Sequence, residues 1–303
     1  MRIIFIGTPD FAVASLKAIL ESGFQVVAVV TAPDKPAGRG LKLQHSAVKT
    51  FALSKEIPIL QPANLKNTDF LAELASYKSD IQVVIAFRML PEAVWNMPPL
   101  GTFNLHASLL PAYRGAAPIN WAIINGEKYT GVTTFFLKHE IDTGAIIFQE
   151  KVPIWEDETA GELHDKLMET GAKLVVKSLK AIAANNYPQQ EQPYLANLPH
   201  APKIFKPDCL IDWNKPANEV FNLIRGLSPY PAAYFVFKNQ TIKVYRADIF
   251  EKESVNSGHY ESDGRTYWHF HTATGIISIK DLQLEGRKRM DIETFLRGFN
   301  PNE

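Results

Sequence analysis

The 303-residue chain has a single cysteine, Cys209, which excludes an internal disulfide framework and any cysteine-rich zinc site and fits a reducing compartment. It has no excess charge of either sign: 32 Lys+Arg stand against 32 Asp+Glu. Unselective coating of nucleic acid, which depends on neutralising phosphates, is therefore not expected, although a local basic patch remains open. Nowhere do about 18 apolar residues run together, so neither a membrane-spanning helix nor a membrane partner is expected. The apolar start Ile3–Ile6 is broken at once by Gly7-Thr8-Pro9-Asp10, too short for a signal-peptide core, and the expected location is the cytoplasm. Repeats and low-complexity tracts are lacking, which excludes collagen-like, disordered and coiled-coil classes.

What is there is an ordinary globular composition, 46% hydrophobic and 21% charged, long enough for two domains. Strand-like runs at Arg2–Ile6, Val26–Thr31, Ile81–Ala86, Gly101–His106 and Gly131–Phe136 are separated by helical patterns such as Ala12–Glu21. That alternation predicts an α/β fold with a mostly parallel sheet. Thr159-Ala-Gly-Glu162 reads as a capping box opening a long helix to about Ala184. The proline-rich, polar segment 185–207 reads as a linker between a domain at 1–184 and one at 208–303. In the second domain a helix over Pro216–Arg225, closed by Gly226, precedes short strands at Tyr234–Phe237, Thr241–Tyr245, Thr266–His271 and Gly275–Ile279. A small β-barrel fits them.

The densest run of unusual residues is Phe103 to Pro118. Asn104 and His106, two apart on a predicted strand, leave the same face near the strand's carboxyl end, where ligands gather in open α/β sheets. Glu140-Ile141-Asp142-Thr143-Gly144 follows the next strand and is expected to bring a carboxylate to the same rim. Asn, His and Asp together suit acyl transfer to an amine. The Asn104 amide and a protonated His106 would donate to the oxygen of the tetrahedral intermediate, each donor being worth roughly 10²–10³ in rate. Asp142 would either hold the imidazole or accept the amine proton. The incoming amine is itself the nucleophile, so no serine or cysteine is needed. Taken by itself, an Asn-x-His pair on a strand is more often structural than catalytic.

The run Asn104-Leu-His106-Ala-Ser108-Leu-Leu-Pro111-x-Tyr113-Arg114-Gly115-Ala-Ala-Pro118, with Gly131-Val-Thr and Asp142-Thr-Gly144 after it, resembles the 10-formyltetrahydrofolate-dependent formyltransferases. Gly7-Thr8-Pro9-Asp10-Phe11, the loop Pro33 to Gly40, Ala201-Pro202-Lys203, Ile211-Asp212-Trp213 and Gln283 to Met290 are similar to members acting on charged tRNA. The resemblance covers essentially the whole chain. It implies a Rossmann-like formyltransferase domain followed by an OB-like β-barrel, and a monomer without metal. The implied co-substrate is 10-formyltetrahydrofolate, the implied partner methionyl initiator tRNA, and the product a formylmethionyl-tRNA for translation initiation. Asn104, His106 and Asp142 match the catalytic triad. Ser108, Leu109, Leu110 and Pro111 match the stretch lining the formyl-folate site, and Phe87, Met89 and Leu90 lie where the pterin-binding loop falls.

Lys35, Arg39, Lys42 and Lys49 belong to a glycine-rich loop whose default is a solvated surface. The resemblance assigns it to the tRNA acceptor arm, with Arg39 at the position of the key arginine. Leu41 and His45 depart from the family there, as does Ala86-Phe87-Arg88-Met89-Leu90, which lacks a Tyr-Gly pair. Arg88 is left between solvent, a carboxylate and the folate. Lys243, Arg246, Arg287, Lys288 and Arg289 form either a phosphate-contacting stripe or a mixed-charge surface. Trp213 and Trp268 are expected in the core, and His139 at the surface rather than on a metal. Gly7 lacks the following glycines of a dinucleotide fingerprint. Two other functions stay open: N-formylation of a sugar nucleotide with the same chemistry, and tRNA binding without catalysis.

Overall fold

The computed structural model describes residues 1–37, 42–193, 195–250 and 256–303. They form two compact units, one of Met1–Arg114, Thr130–Val152 and His164–Pro199, the other of Gly115–Tyr129, Pro153–Leu163 and His200–Glu303. Along the chain come β1 (Arg2–Gly7), α1 (Asp10–Glu21), β2 (Gln25–Val30), β3 (Lys35–Ala37), β4 (Lys42–Gln44), α2 (Ala47–Leu53), β5 (Ile59–Leu60), α3 (Thr68–Ser76) and β6 (Ile81–Ile85). Then follow α4 (Glu92–Trp95), β7 (Thr102–His106), β8 (Arg114–Gly115), α5 (Pro118–Ile124), β9 (Tyr129–Phe136), β10 (Ile146–Pro153) and α6 (Ala160–Ala183).

The first unit is built on a seven-stranded sheet in the order β10-β9-β7-β6-β1-β2-β5. β1 runs parallel to β2 and β6, β2 to β5, and β6 to β7. The expected parallel sheet is thus present, and its sequence origin is plain. Ile3, Ile4, Phe5 and Ile6 are wholly buried without polar alternation, as a strand covered on both faces requires. Helices start where side chains can satisfy their free amides: Ser46 accepts from Lys49 N, and Asn67 from Phe70 N. The capping box opens α6 as expected, Thr159 N donating to Glu162 Oε2 at 2.8 Å and Glu162 N to Thr159 Oγ1 at 3.3 Å.

In the glycine-rich stretch, Lys35–Ala37 and Lys42–Gln44 pair as antiparallel strands rather than lying as a plain solvated loop. Arg39 lies outside the described residues. In the segment 185–207, Gln190 exchanges backbone hydrogen bonds with Ile146 at 2.8 and 3.0 Å.

The second unit continues with β11 (His200–Ala201), a 3-10 turn (Lys206–Cys209), α7 (Ala217–Leu227), β12 (Ala233–Phe237), β13 (Gln240–Phe250), β14 (Tyr260–Ser262), β15 (Trp268–His271), β16 (Ile276–Leu284), β17 (Met290–Asp291) and α8 (Ile292–Leu296). Its sheet has the order β12-β13-β16-β15-β14, with β17 on β16, and each of these neighbours pairs antiparallel. The core is aromatic. Trp268 is fully buried among Phe235, Phe270 and Phe295, and Trp213 stacks on Phe270 at 4.4 Å, so both tryptophans serve packing as expected. Gly226 does not close α7, which runs on to Leu227. A Cβ there would meet Ile124 Cγ1 at 2.6 Å, so this glycine lets α5 and α7 approach.

Candidate active site

β7 puts Asn104 and His106 two residues apart, opposite Val84 on the β6 side for Asn104 and opposite Thr133 on β9 for His106. His106 is 7% exposed and its ring is held by one clear bond, Nε2 to the Tyr113 carbonyl at 2.8 Å. A carbonyl only accepts, so Nε2 carries the hydrogen and Nδ1 is turned the other way. Tyr113 holds this carbonyl from a left-handed backbone (φ 59°), with its own N–H bonded to Pro199 O at 2.6 Å. Nδ1 faces Asp142 Oδ2 at 3.9 Å, with the Asp142 side chain 12% exposed. Two of the three expected residues thus share β7, and the loop after β9 brings the third, Asp142, to face His106. The buried carboxamide oxygen of Asn104 has no hydrogen-bond partner among the described residues.

Asp142 arrives by a different route from the one its place after the next strand suggests. β9 is antiparallel to β7, pairing Phe136 with Phe103 and Thr133 with His106. The chain therefore leaves β9 level with the start of β7 and returns about 10 Å along the strand direction to reach His106. Asp142 takes a left-handed conformation (φ 56°), which costs a non-glycine residue roughly 1–2 kcal/mol. Thr143 Oγ1 bonds back to Glu140 O at 3.0 Å, and a Cβ on Gly144 would lie 1.6 Å from Phe136 O. Glycine is thus required where the loop rests on β9.

Of the residues expected around the folate, Ser108 and Leu110 are buried, and Leu109 and Pro111 half-buried. The Ser108 hydroxyl donates to Ala112 O at 2.7 Å. Leu110 packs with Phe135 and Ile146. Thr133, which composition and spacing do not single out, organises this turn: its hydroxyl donates to Ser108 O at 2.6 Å and accepts from Leu110 N at 3.2 Å and Gln149 Nε2 at 2.9 Å. After β6, Leu90 enters the core, Phe87 is half-buried and Met89 is 72% exposed. Arg88 is exposed, which fits the solvent alternative, and its guanidinium also donates to the Pro62 and Ala63 carbonyls at 2.5 and 3.0 Å.

At the base of the β3–β4 pair, Asp34 accepts from Lys49 Nζ at 2.5 Å and Gln61 Nε2 at 2.9 Å and faces His45 Nδ1 at 3.1 Å. Lys49 first, then Gln61 and His45, hold its carboxyl down at about 2. His139 is exposed and faces Glu92, as a surface position requires. In the second unit Arg246 pairs with Glu162, and Arg289 with Asp281, so two of the five cations suggested as a phosphate stripe are matched by carboxylates. His259, Glu261 and His271 bring possible metal-ligand atoms within 4.8 Å of one another there, with His271 Nε2 3.1 Å from Glu261 Oε1. Among the described residues no helix is long and apolar enough to cross a membrane.

Comparison with known proteins places this geometry. Residues 1–179 match the family model described as formyl transferase, and residues 203–300 the formyl transferase C-terminal domain. The chain is 50% identical to the methionyl-tRNA formyltransferase of Bacteroides fragilis, covering 100% of this chain and 96% of that protein. It is 53% identical to the protein of that name from Azobacteroides pseudotrichonymphae, covering 98% and 95%. Among solved structures, an N-formyltransferase from Helicobacter canadensis, in complex with folinic acid and dTDP-3-aminofucose, superposes with a TM-score of 0.70 at 22% identity, covering 91% of this chain and 98% of that one. HypX from Aquifex aeolicus with tetrahydrofolic acid gives 0.67 at 18% identity, covering 98% and 47%. These two likenesses speak to fold.

Proposed function

The chain belongs to the formyl transferase family, and on that premise we propose that it moves the formyl group of 10-formyltetrahydrofolate to the α-amine of methionine esterified to initiator tRNA. The observation that carries the acceptor is identity of 50% and 53%, over essentially the full length, with methionyl-tRNA formyltransferases. The sugar-nucleotide complex is only 22% identical. The product is formylmethionyl-tRNA for translation initiation, made in the cytoplasm by a monomer.

10-Formyltetrahydrofolate supplies the formyl carbon, which exchanges its bond to N10 for a bond to the methionine nitrogen while the amine's proton ends on N10. An α-amine has a reference pKa of about 7.7–8.0, so free base is present at neutral pH and no protein nucleophile is required. His106, its Nε2 hydrogen committed to Tyr113, donates from Nδ1 to the carbonyl oxygen under attack when its ring is protonated on both nitrogens. Asp142, 3.9 Å from Nδ1, balances the imidazolium or takes the amine proton. The Asn104 amide is the second donor. Phe87, Met89, Leu109 and Pro111 offer the surface for the folate, while Ser108, Leu110 and Leu90 brace it from behind. Lys35, Arg39 and Lys42 take tRNA phosphates.

The direct test incubates the purified protein with 10-formyltetrahydrofolate and methionyl initiator tRNA, beside a UDP-amino sugar and a water-only control. Formylmethionine recovered from deacylated tRNA is expected. Formyl release only with the sugar or water would refute the tRNA acceptor, and no formyl-folate turnover in any tube would leave a tRNA-binding protein without catalysis.

A further inference from the structure

Asp142 depends on groups outside its own loop. Its segment leaves β9 at the wrong end for His106, doubles back, and carries the carboxylate on a left-handed residue. One side chain from the proline-rich segment meets it there. Gln192 Nε2 donates to the Asp142 carbonyl at 2.8 Å and to the Gly144 carbonyl at 2.9 Å. Its Oε1 accepts from Arg114 Nε at 3.2 Å and Arg114 Nη2 at 2.5 Å. Carbonyls only accept and a guanidinium only donates, so the orientation of this amide is fixed by its partners. Arg114 follows Tyr113, whose carbonyl orients the His106 ring. A single amide therefore joins the backbone that carries Asp142 to the segment that fixes His106.

We propose that Gln192 is a positioning residue for formyl transfer: by bonding the Asp142 and Gly144 carbonyls to Arg114, it sets where the Asp142 carboxylate stands relative to His106. This inference rests on Asn104, His106 and Asp142 being the reacting site. Glutamate is no substitute, because it keeps the acceptor for Arg114 and loses both donors to the loop. Asparagine is one methylene too short to span the two partners. The residue acts through Asp142, so its effect exists only while there is a carboxylate to place.

The test measures kcat, both KM values and thermal unfolding for the full chain, Gln192→Ala, Gln192→Glu, Asp142→Asn and the double variant Gln192→Ala/Asp142→Asn. Gln192→Ala is expected to lower kcat about 10–100-fold, the scale of a small misplacement of a catalytic group. Both KM values should stay within about two-fold, and on the Asp142→Asn background the same change should cost less than about two-fold more. Gln192→Glu should unfold near the wild-type temperature and still lose kcat; it replaces alanine in the cycle if Gln192→Ala unfolds early. Equal losses on both backgrounds overturn the proposal, since the side chain then serves the fold rather than Asp142. An unimpaired Gln192→Ala beside an impaired Asp142→Asn overturns it alone. A wild-type rate in Asp142→Asn instead brings down the site assignment, and the role of Gln192 with it.

Discussion

His106 and Asp142 face each other across 3.9 Å and are held by opposite means. His106 ends a buried strand whose Phe103 and Leu105 fill the core, so the sheet ladder fixes its backbone while the Tyr113 carbonyl holds its ring. Asp142 sits on a loop with a left-handed backbone, kept in place by a glycine against β9 and by two side-chain bonds from Gln192 in a distant segment. The strand-borne group tolerates local change because many ladder bonds share its placement. The loop-borne group depends on a few contacts, each of which matters singly.

The largest effect expected is on the strand side. His106→Ala should reduce kcat/KM by about 10²–10³-fold, the loss of one donor to the developing oxyanion, with an unfolding temperature close to that of the parent. A loss of fold with the loss of rate would break the contrast, because the strand would then depend on its last residue. Next comes Gly144→Ala. With 1.6 Å between its Cβ and the Phe136 carbonyl oxygen, the loop must shift. A fall in kcat of about 10–100-fold is expected from the displaced carboxylate, and steady-state rates near wild type would show that the loop has slack.

Thr133→Val is a milder cut on the strand side. It strands the Ser108 carbonyl, the Leu110 amide and one Gln149 donor, and should cost about 1–3 kcal/mol of stability, read by denaturant titration. KM for formyl-folate should rise with it; an unchanged KM would mean that the turn at Ser108–Pro111 does not shape the folate surface. The smallest effect at neutral pH belongs to the β3–β4 pair, held by charge. The Asp34 carboxyl lies at about 2, below its ordinary 3.8, chiefly through Lys49. A depressed acid stabilises above its unfolded value and loses that contribution as pH falls through the folded one. Amide protection at Lys35–Ala37 and Lys42–Gln44 should therefore be flat above roughly pH 4 and decline toward pH 2. Protection that survives to pH 2 would credit the backbone pairing alone.

The same contrast decides what could be read from sequence. The aliphatic run at Ile3–Ile6, the Thr159–Glu162 capping box and the Asn104–His106 spacing are local patterns, and each became the expected element. The direction of β9 is not local: its apolar run fits a parallel or an antiparallel neighbour equally well, so the path of Asp142 back to the site was invisible. Gln192 had no signal either. It lies among prolines and polar residues, and its meaning comes from two carbonyls about fifty positions away. Gly226 misled for a related reason, since a glycine near a helix end reads as a stop and here makes room for Ile124.

The lone cysteine has a practical consequence. Cys209 is 2% exposed, its Sγ lies 3.3 Å from the Phe205 carbonyl, and burial followed by the Asp208 charge pushes its thiol pKa up. A water-soluble aromatic disulfide reagent can therefore react with it only in the moments when its part of the second unit opens. Because the chain has no other sulfhydryl, the labelling rate is a stopwatch for that opening, silent about the first unit. In the regime of fast reclosing, that rate divided by the rate for an exposed thiol gives the opening equilibrium constant.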